Sequence, residues 1–104
     1  MDISEIRKNI ELLPDVIYTL EKDYLQAKAQ LNHMNDLTKH LLAKWKSDYD
    51  GSNPEREQQA IAKEEYLTHL KGIFAQEQTT AEKASMFHLE ERRFEAMRSL
   101  NKNV

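Results

Sequence analysis

Two histidines and a carboxylate in the first half of the chain have a spacing that could hold a metal ion. His33, Asp36 and His40 are separated by three and four residues, so a helix would place them along one face. Imidazole and carboxylate groups are ordinary ligands for divalent transition metals. The repeat described below turns all three toward solvent, and the sequence fixes no further strong ligand. A solvated helix face is the favoured interpretation, so no metal and no other cofactor is expected.

Other arrangements with catalytic potential are weak. Glu65 and His69 form an i, i+4 pair without the Glu-x-x-His motif of di-iron bundles. The adjacent carboxylates Glu64-Glu65 and Glu90-Glu91 would point about 100° apart on a helix, which does not suit shared acid–base work. The chain has no cysteine, which excludes disulfides, thiolate zinc sites and cysteine nucleophiles, and it has no glycine-rich phosphate loop. We expect no catalytic residues and no enzymatic activity.

Two groups of cations could bind nucleic acid. Lys44 and Lys46 flank Trp45, and Tyr49 follows one turn later, so lysines could neutralise phosphates beside a ring that stacks on a base. The second group comprises Arg92, Arg93, Arg98 and Lys102. It is interleaved with glutamates, so ion pairs within a helix explain much of it. Core or oligomer packing is likewise the favoured interpretation for the two aromatic residues.

The elements that carry these residues follow from a seven-residue repeat between Ile3 and Trp45. Its first and fourth positions are Ile3, Ile6, Ile10, Leu13, Ile17, Leu20, Tyr24, Ala27, Leu31, Met34, Thr38, Leu41 and Trp45. All are apolar except Thr38, which predicts a long helix that buries one narrow seam against a partner. Pro14 removes one backbone hydrogen bond without changing the phase. It predicts a kink, or a short helix over residues 3–12 abutting a long one.

A reversal is predicted near the midpoint. Gly51 suits a left-handed position past a helix end, and Ser52 with Glu55 fits a capping box around Pro54. The expected arms are residues 3–49 and 54–101, joined by a turn over residues 50–54. In the second arm Ala62, Tyr66, Leu70 and Ile73 form a stripe, and apolar residues including Phe87 and Phe94 follow. Thr79 and Glu82 resemble another capping box, which raises a break near residue 79 as the alternative to one continuous arm.

Composition agrees with one all-α domain. The chain has 104 residues with two glycines and two prolines, too few for a fold of many turns. A formal net charge of −3 gives no support to nucleic-acid binding by bulk charge. No apolar run approaches membrane-spanning length, so no membrane contact and no small-molecule substrate is expected, and a cytoplasmic protein is the default expectation.

Assembly is the firmest functional expectation from the residues. A helical hairpin covers only the seam between its arms and leaves large apolar side chains half exposed. The expected core and oligomer seam consists of Ile10, Ile17, Leu20, Leu31, Met34, Leu41, Tyr66, Leu70, Ile73, Phe87 and Phe94. A homodimeric antiparallel four-helix bundle is the simplest way to cover it, and a larger ring of hairpins fits the same pattern.

One segment resembles a known family. The run Lys44-Trp45-Lys46-Ser47-Asp48-Tyr49-Asp50-Gly51 is similar to the basic-x-basic-x-Asp-Tyr segment, followed by glycine, of UvsY-type recombination mediators of T-even phages. Later residues are similar to small helical prophage proteins associated with recombination genes: Glu55-Arg56-Glu57, Ala60, Tyr66, His69-Leu70 and Glu95-Ala96-Met97-Arg98-Ser99. The resemblance covers roughly residues 40–100.

The resemblance implies a non-catalytic, oligomeric, helical protein that binds single-stranded DNA and helps to load a recombinase on strands covered by a single-strand-binding protein. Lys44 and Lys46 would then contact phosphates, and Trp45 or Tyr49 would stack a base. The chain is shorter than the mediators and carries a net negative charge. Two alternatives stand beside it: a structural or adaptor coiled coil, and a secreted hairpin of the WXG type, whose Trp-x-Gly motif is absent because Trp45 and Gly51 are six residues apart.

Overall fold

The fold is all-α, as the sequence predicts. The computed structural model describes residues 2–103, which form helices α1 (Ile3–Lys46), α2 (Asn53–Ile61) and α3 (Glu64–Lys102) and contain no strand. Within that range no helix is both long enough and apolar enough to cross a membrane.

Helix α1 begins at a capped end and continues through its proline. The Asp2 carboxylate accepts a hydrogen bond of 2.8 Å from the Glu5 amide, which satisfies one free donor of the first turn. Pro14 lies inside α1, so the alternative of a separate helix over residues 3–12 is wrong. The proline is exposed while its neighbour Leu13 is buried, so packing on the seam side holds the weakened turn. The prediction of a kink stays a prediction.

The connection after α1 has the predicted turn chemistry. Gly51 has a φ of +119°, in the region that favours glycine. Ser52 caps α2: its hydroxyl accepts from the Glu55 amide at 3.4 Å, and the Glu55 carboxylate accepts from the Ser52 amide at 3.3 Å. This reciprocal pair is the expected capping box, with Pro54 in the first turn. Helix α1 itself ends at Lys46, before the predicted end near residue 49.

The prediction of one continuous second arm is wrong at Ala62 and Lys63, which separate α2 from α3. The Lys63 amide bonds to the Ala60 carbonyl at 3.2 Å, which tightens the chain at the end of α2. The Lys63 ammonium lies 3.1 Å from the Asp48 carboxylate and 5.5 Å from the centre of the Tyr49 ring. These contacts with the preceding turn stabilise the bend.

The alternative of a break near residue 79 is also wrong, because α3 runs without interruption from Glu64 to Lys102. Thr80 lies buried on the inward face of α3, so its polar side chain is accommodated within the helix rather than ending it.

The described residues form two compact units. The terminal unit contains residues up to Ala27 and from Thr80 onward. Its core cluster comprises Ile6, Leu13 and Met97, with Ile10, Ile17 and Phe94 packed against it. Tyr24 stacks on Phe87 with ring centroids 6.0 Å apart. Low numbers on α1 therefore pair with high numbers on α3, so the two helices are antiparallel in this unit.

The turn unit contains residues Lys28–Thr79. In this unit the Thr38 hydroxyl lies 2.8 Å from His69 Nε2, and the Trp45 ring meets the Tyr66 ring edge-on with centroids 6.3 Å apart. The helices are again antiparallel. Ala60 of α2 is completely buried, so the short helix belongs to the packed structure of this unit.

Burial follows a spacing of three and four residues on both long helices. All thirteen first and fourth positions of the α1 repeat are buried or half-buried. The corresponding row on α3 is Tyr66, His69, Ile73, Gln76, Thr80, Lys83, Phe87, Glu90, Phe94 and Met97. We call these two rows the seam. Half of the α3 row is polar, which explains why the apolar pattern of the second arm looks irregular in the sequence.

Candidate functional site

The segment that resembles the recombination mediators lies at the end of α1 in the turn unit. Lys44 is exposed, whereas Trp45 is half-buried and packs edge-on against Tyr66 at an interplanar angle of 89°. Tyr49 is half-buried beneath the Lys63 ammonium. Both rings that could stack on a base thus already contact side chains of their own unit, as expected for packing residues.

Lys46 also has a structural role. Its carbonyl accepts hydrogen bonds from Arg56 Nε at 3.1 Å and from the Tyr49 amide at 3.2 Å, so one free carbonyl at the end of α1 is satisfied twice.

Between Lys44 and Tyr66 the chain carries four Lys or Arg residues and six Asp or Glu residues. The local charge is therefore negative, which weakens phosphate binding at this end of the unit.

The second cationic group lies on α3 in the terminal unit. Arg92, Arg93 and Arg98 are all exposed. Arg93 lies 3.8 Å from Glu90, and Arg98 lies 3.3 Å from Glu95 and 5.7 Å from the centre of the Phe94 ring. Among residues 2–103, Arg92 has no carboxylate within ion-pair distance. Arg93 and Arg98 thus make the ion pairs along one helix that their spacing predicts.

The three residues considered as metal ligands do not form a site. His33, Asp36 and His40 are exposed on α1. Over the described range, residues 2–103, no three side chains of histidine, aspartate or glutamate lie close enough together to hold a metal ion. His69, by contrast, lies in the seam and bonds to Thr38.

The residues expected in the core and oligomer seam have unequal exposures. Ile73 and Phe87 are buried. The half-buried members are Ile10, Ile17, Leu20, Leu31, Met34, Leu41, Tyr66 and Phe94. Leu70 lies outside the seam and is 39 % exposed. It directly follows His69, as Leu67 follows Tyr66 and Phe74 follows Ile73, so these three exposed side chains form an apolar stripe beside the seam of the turn unit.

The terminal unit has a larger exposed apolar surface, which the sequence reasoning missed. Its members are Leu12 and Val16 on α1 and Met86, Leu89 and Leu100 on α3, each between 44 and 58 % exposed. Leu12, Val16, Met86 and Leu89 directly precede seam positions, and Leu100 lies one position before the place where the α3 repeat would continue after Met97. In an antiparallel pair such residues on both helices project to the same side. We call this side of the terminal unit the apolar flank. An open depression of about 310 Å³ on α1, lined by Asp15, Val16, Thr19 and Leu20, lies beside Val16 of this flank.

The opposite side of the terminal unit is charged. Residues that directly follow seam positions form this charged flank. Its larger members are Arg7, Glu11, Tyr18, Glu21, Leu25, His88, Glu91, Glu95 and Arg98, and its small ones are Ser4, Pro14, Ala81 and Ala84. Two of these residues, His88 and Glu91, are paired at 2.9 Å. The spacings Leu12–Val16 and Met86–Leu89 in the sequence indicate an apolar side of the helices. This pattern can be recognised only when the seam positions are known from the structure.

Comparison of the chain with protein-family models, with curated proteins and with solved structures finds no match.

Proposed function

We propose that this chain is a non-enzymatic helical protein that acts through protein–protein contacts and assembles with further copies of itself. The observation that supports this function is the apolar flank of the terminal unit, where five large apolar side chains are about half exposed. The neighbouring seam is already packed between α1 and α3 and cannot cover them. Burying apolar surface is worth roughly 25 cal/mol per Å², so covering such a row favours association. Contiguous patches of this kind commonly mark protein contact sites.

A single pair of helices cannot bury the apolar side chains on its flanks. The terminal unit has one seam between two long helices, and among the described residues a side chain on its flanks has no third helix to cover it. A second pair of helices would provide the missing layer and produce a four-helix bundle. The stripe of Leu67, Leu70 and Phe74 in the turn unit is a second exposed apolar surface that a further helix could cover.

Light scattering after size-exclusion chromatography tests the proposal. We expect a mass that is a multiple of the 12.3 kDa chain and that falls toward the monomer on dilution. A control at each concentration is the far-ultraviolet circular dichroism spectrum, which reports whether the helices persist. A folded protein that remains a monomer up to about 1 mM, where even weak dimers with millimolar dissociation constants form, would refute self-assembly.

A second candidate function is that of a phage-type recombination accessory, which binds single-stranded DNA and contacts a recombinase or a single-strand-binding protein in the cytoplasm. The favouring observation is that Lys44 and Arg92 are exposed and have no carboxylate at ion-pair distance among the described residues. An oligomer would repeat these cations, and weak phosphate contacts could then add up.

Fluorescence anisotropy with a labelled single strand tests this candidate. The variant Lys44→Ala with Lys46→Ala should weaken binding and reduce its dependence on salt, because fewer counterions are released. The matched control is Lys39→Ala with Lys71→Ala, which removes two exposed lysines of the same unit that lie outside the mediator-like segment. No binding at low salt, or equal loss in both double variants, would eliminate this candidate and leave an assembly or adaptor function.

A further inference from the structure

We propose that the apolar flank of the terminal unit is the interface between two copies of the chain, with α1 of one copy lying over α3 of the other. This inference rests on the proposed function of self-assembly and specifies which surface and which arrangement produce it. Three properties of the terminal unit support this interface: the contrast between its flanks, the size of the apolar flank, and the position of its charges.

The two flanks differ in the chemistry that they present. The apolar flank carries five large exposed apolar side chains, Leu12, Val16, Met86, Leu89 and Leu100. The charged flank carries two, Tyr18 and Leu25, among six Asp, Glu or Arg residues. Charged groups are depleted at the centre of protein interfaces, because their desolvation is costly. The apolar flank, with five large exposed apolar side chains against two, is therefore the better suited of the two to burial against another helical layer.

The size of the flank fits a second copy. Each helical segment in the terminal unit is about 25 residues long, which corresponds to roughly 37 Å at about 1.5 Å per residue. Two helices side by side are about 20 Å wide, so one flank offers on the order of 700 Å². A stable interface buries about 800 Å² per partner. A single additional helix would cover only about half of this surface, whereas a second helical pair would cover all of it.

The charges on the flank select the arrangement. Asp23 directly precedes the seam residue Tyr24, and Arg93 directly precedes the seam residue Phe94, so both lie on the apolar flank. The other ionisable residues that precede seam positions in the terminal unit are Asp2 just before α1, Glu5 on α1 and Glu82 on α3. With α1 against α1, the Asp23 carboxylate would meet a helix face that carries acids and no base. With α1 against α3, it meets the helix that carries Arg93.

The positions of Asp23 and Arg93 along the helix axes allow the two side chains to meet between copies. The Tyr24–Phe87 stack places residue 88 of α3 opposite Asp23, and Arg93 lies five residues further along, about 7.5 Å. A twofold axis parallel to the helices preserves this level when α3 comes from the other copy. An extended arginine side chain covers that distance. In the single chain Arg93 makes only a 3.8 Å contact with Glu90, so its guanidinium can reorient.

A matched pair of substitutions tests the surface. Leu89→Glu places a charge on the apolar flank, where the side chain is 58 % exposed, and Leu25→Glu places the same charge on the charged flank, where it is 51 % exposed. Sedimentation velocity should show at least a tenfold weaker dimer for Leu89→Glu and little change for Leu25→Glu. Circular dichroism verifies that both variants fold. The reverse ranking, or equal effects, would overturn the assignment of this surface.

Mixing two charge variants tests the arrangement. D23R homodimers would oppose two arginines, and R93E homodimers would oppose two acids, so each variant alone should dimerise more weakly. In a mixed dimer of the two variants, every pair of opposed charges is again an acid with a base. Native mass spectrometry should therefore show heterodimers in excess over the statistical half. A statistical mixture would exclude contact between α1 of one copy and α3 of the other.

The outcomes separate the two proposals. A wild-type protein that stays monomeric refutes self-assembly, and this inference fails with it. An oligomer that resists Leu89→Glu and shows no heterodimer preference leaves the proposed function intact and refutes only this interface. A monomer that instead binds an unrelated helical protein through the apolar flank would show that the occupant is not a second copy.

Discussion

The hydroxyl of Thr38 on α1 and Nε2 of His69 on α3 lie 2.8 Å apart within the seam of the turn unit. Thr38 is the one polar residue of the α1 repeat. Its hydroxyl also donates to the Met34 carbonyl at 3.3 Å, which leaves its oxygen free to accept a hydrogen bond from the imidazole N–H. The polar seam residue Thr38 on α1 is therefore paired with a polar seam residue, His69, on α3. A shift in register would place His69 against Met34 or Leu41 and leave it without this partner.

Thr38→Val should lower the free energy of unfolding by about 1–3 kcal/mol, because it leaves the part-buried imidazole of His69 without an acceptor. Replacing both partners, with Thr38→Val and His69→Leu, should recover most of this loss, since no unpaired polar group remains. Urea unfolding monitored by circular dichroism measures both changes.

The matched control for this prediction is Thr19→Val. The Thr19 hydroxyl makes the same type of bond, to the Asp15 carbonyl at 3.1 Å, but it is exposed and has no hydrogen-bond partner on another helix. Because Thr19 lies on the apolar flank, the comparison is made at a concentration where the chain is a monomer. Its loss should change stability by less than about 0.5 kcal/mol. Additive effects of Thr38→Val and His69→Leu would contradict the coupling, because two residues in one hydrogen bond should not act independently.

The contrast between the two long helices shows how far the sequence could predict the fold. On α1 the repeat identifies the inward face over its whole length, because nearly every seam residue is apolar. On α3 the residues His69, Gln76 and Thr80 occupy the seam, while Leu67 and Leu70 lie one position outside it. A search for apolar periodicity therefore finds the seam residues Tyr66, Ile73, Phe87 and Phe94, but it takes Leu70, about 100° away around the helix, in place of His69.

Local turn chemistry was predictable at Ser52 and Glu55 but not at Lys63. A capping box uses residues three positions apart, so it can be recognised from the sequence. The bend at Ala62 and Lys63 is stabilised by the contact with Asp48, fifteen positions earlier, and no local pattern encodes it. The apolar flank depends in the same way on the seam of α3 and could not be located without it.

Gly72→Ala should stabilise the protein by about 0.5–1 kcal/mol. Gly72 lies inside α3, where alanine is the better helix former by about that amount. An added Cβ would come 3.3 Å from Cε of Met34, the flexible end of a side chain that can move by a few tenths of an ångström. Gly72→Val, which adds two more carbons in the same place, should destabilise. Thermal unfolding distinguishes the two, and a destabilising alanine would show that Met34 cannot yield.

The opposite result is expected at the other glycine. Gly51→Ala should lower stability by about 1–3 kcal/mol, because the φ of +119° is a conformation that L-residues rarely adopt. The added Cβ would also collide with the Glu55 carboxylate and disturb the capping box. Gly51→Asn should lose less than Gly51→Ala if the backbone angle dominates, since asparagine tolerates positive φ better. Equal melting temperatures for wild type and Gly51→Ala would contradict this account.

Lys63→Met should lower stability near neutral pH, and the difference from wild type should narrow in strong alkali. The hydrogen bond to Asp48, supported by the charges of Tyr49, Asp48 and Glu65, raises the pKa of the Lys63 ammonium above its ordinary value of 10.5, although desolvation opposes this. Because the pKa of Lys63 is raised in the folded state, its contribution to the free energy of unfolding is complete below pH 10.5 and is lost as the pH rises through the folded-state pKa.

Urea unfolding of wild type and Lys63→Met at pH 8 and in strong alkali measures this narrowing. Lys71→Met, which removes an exposed lysine on α3, is the control and should show no such narrowing. A gap that persists unchanged in alkali would mean that Lys63 stabilises the bend through its aliphatic stem on Tyr49 rather than through its charge.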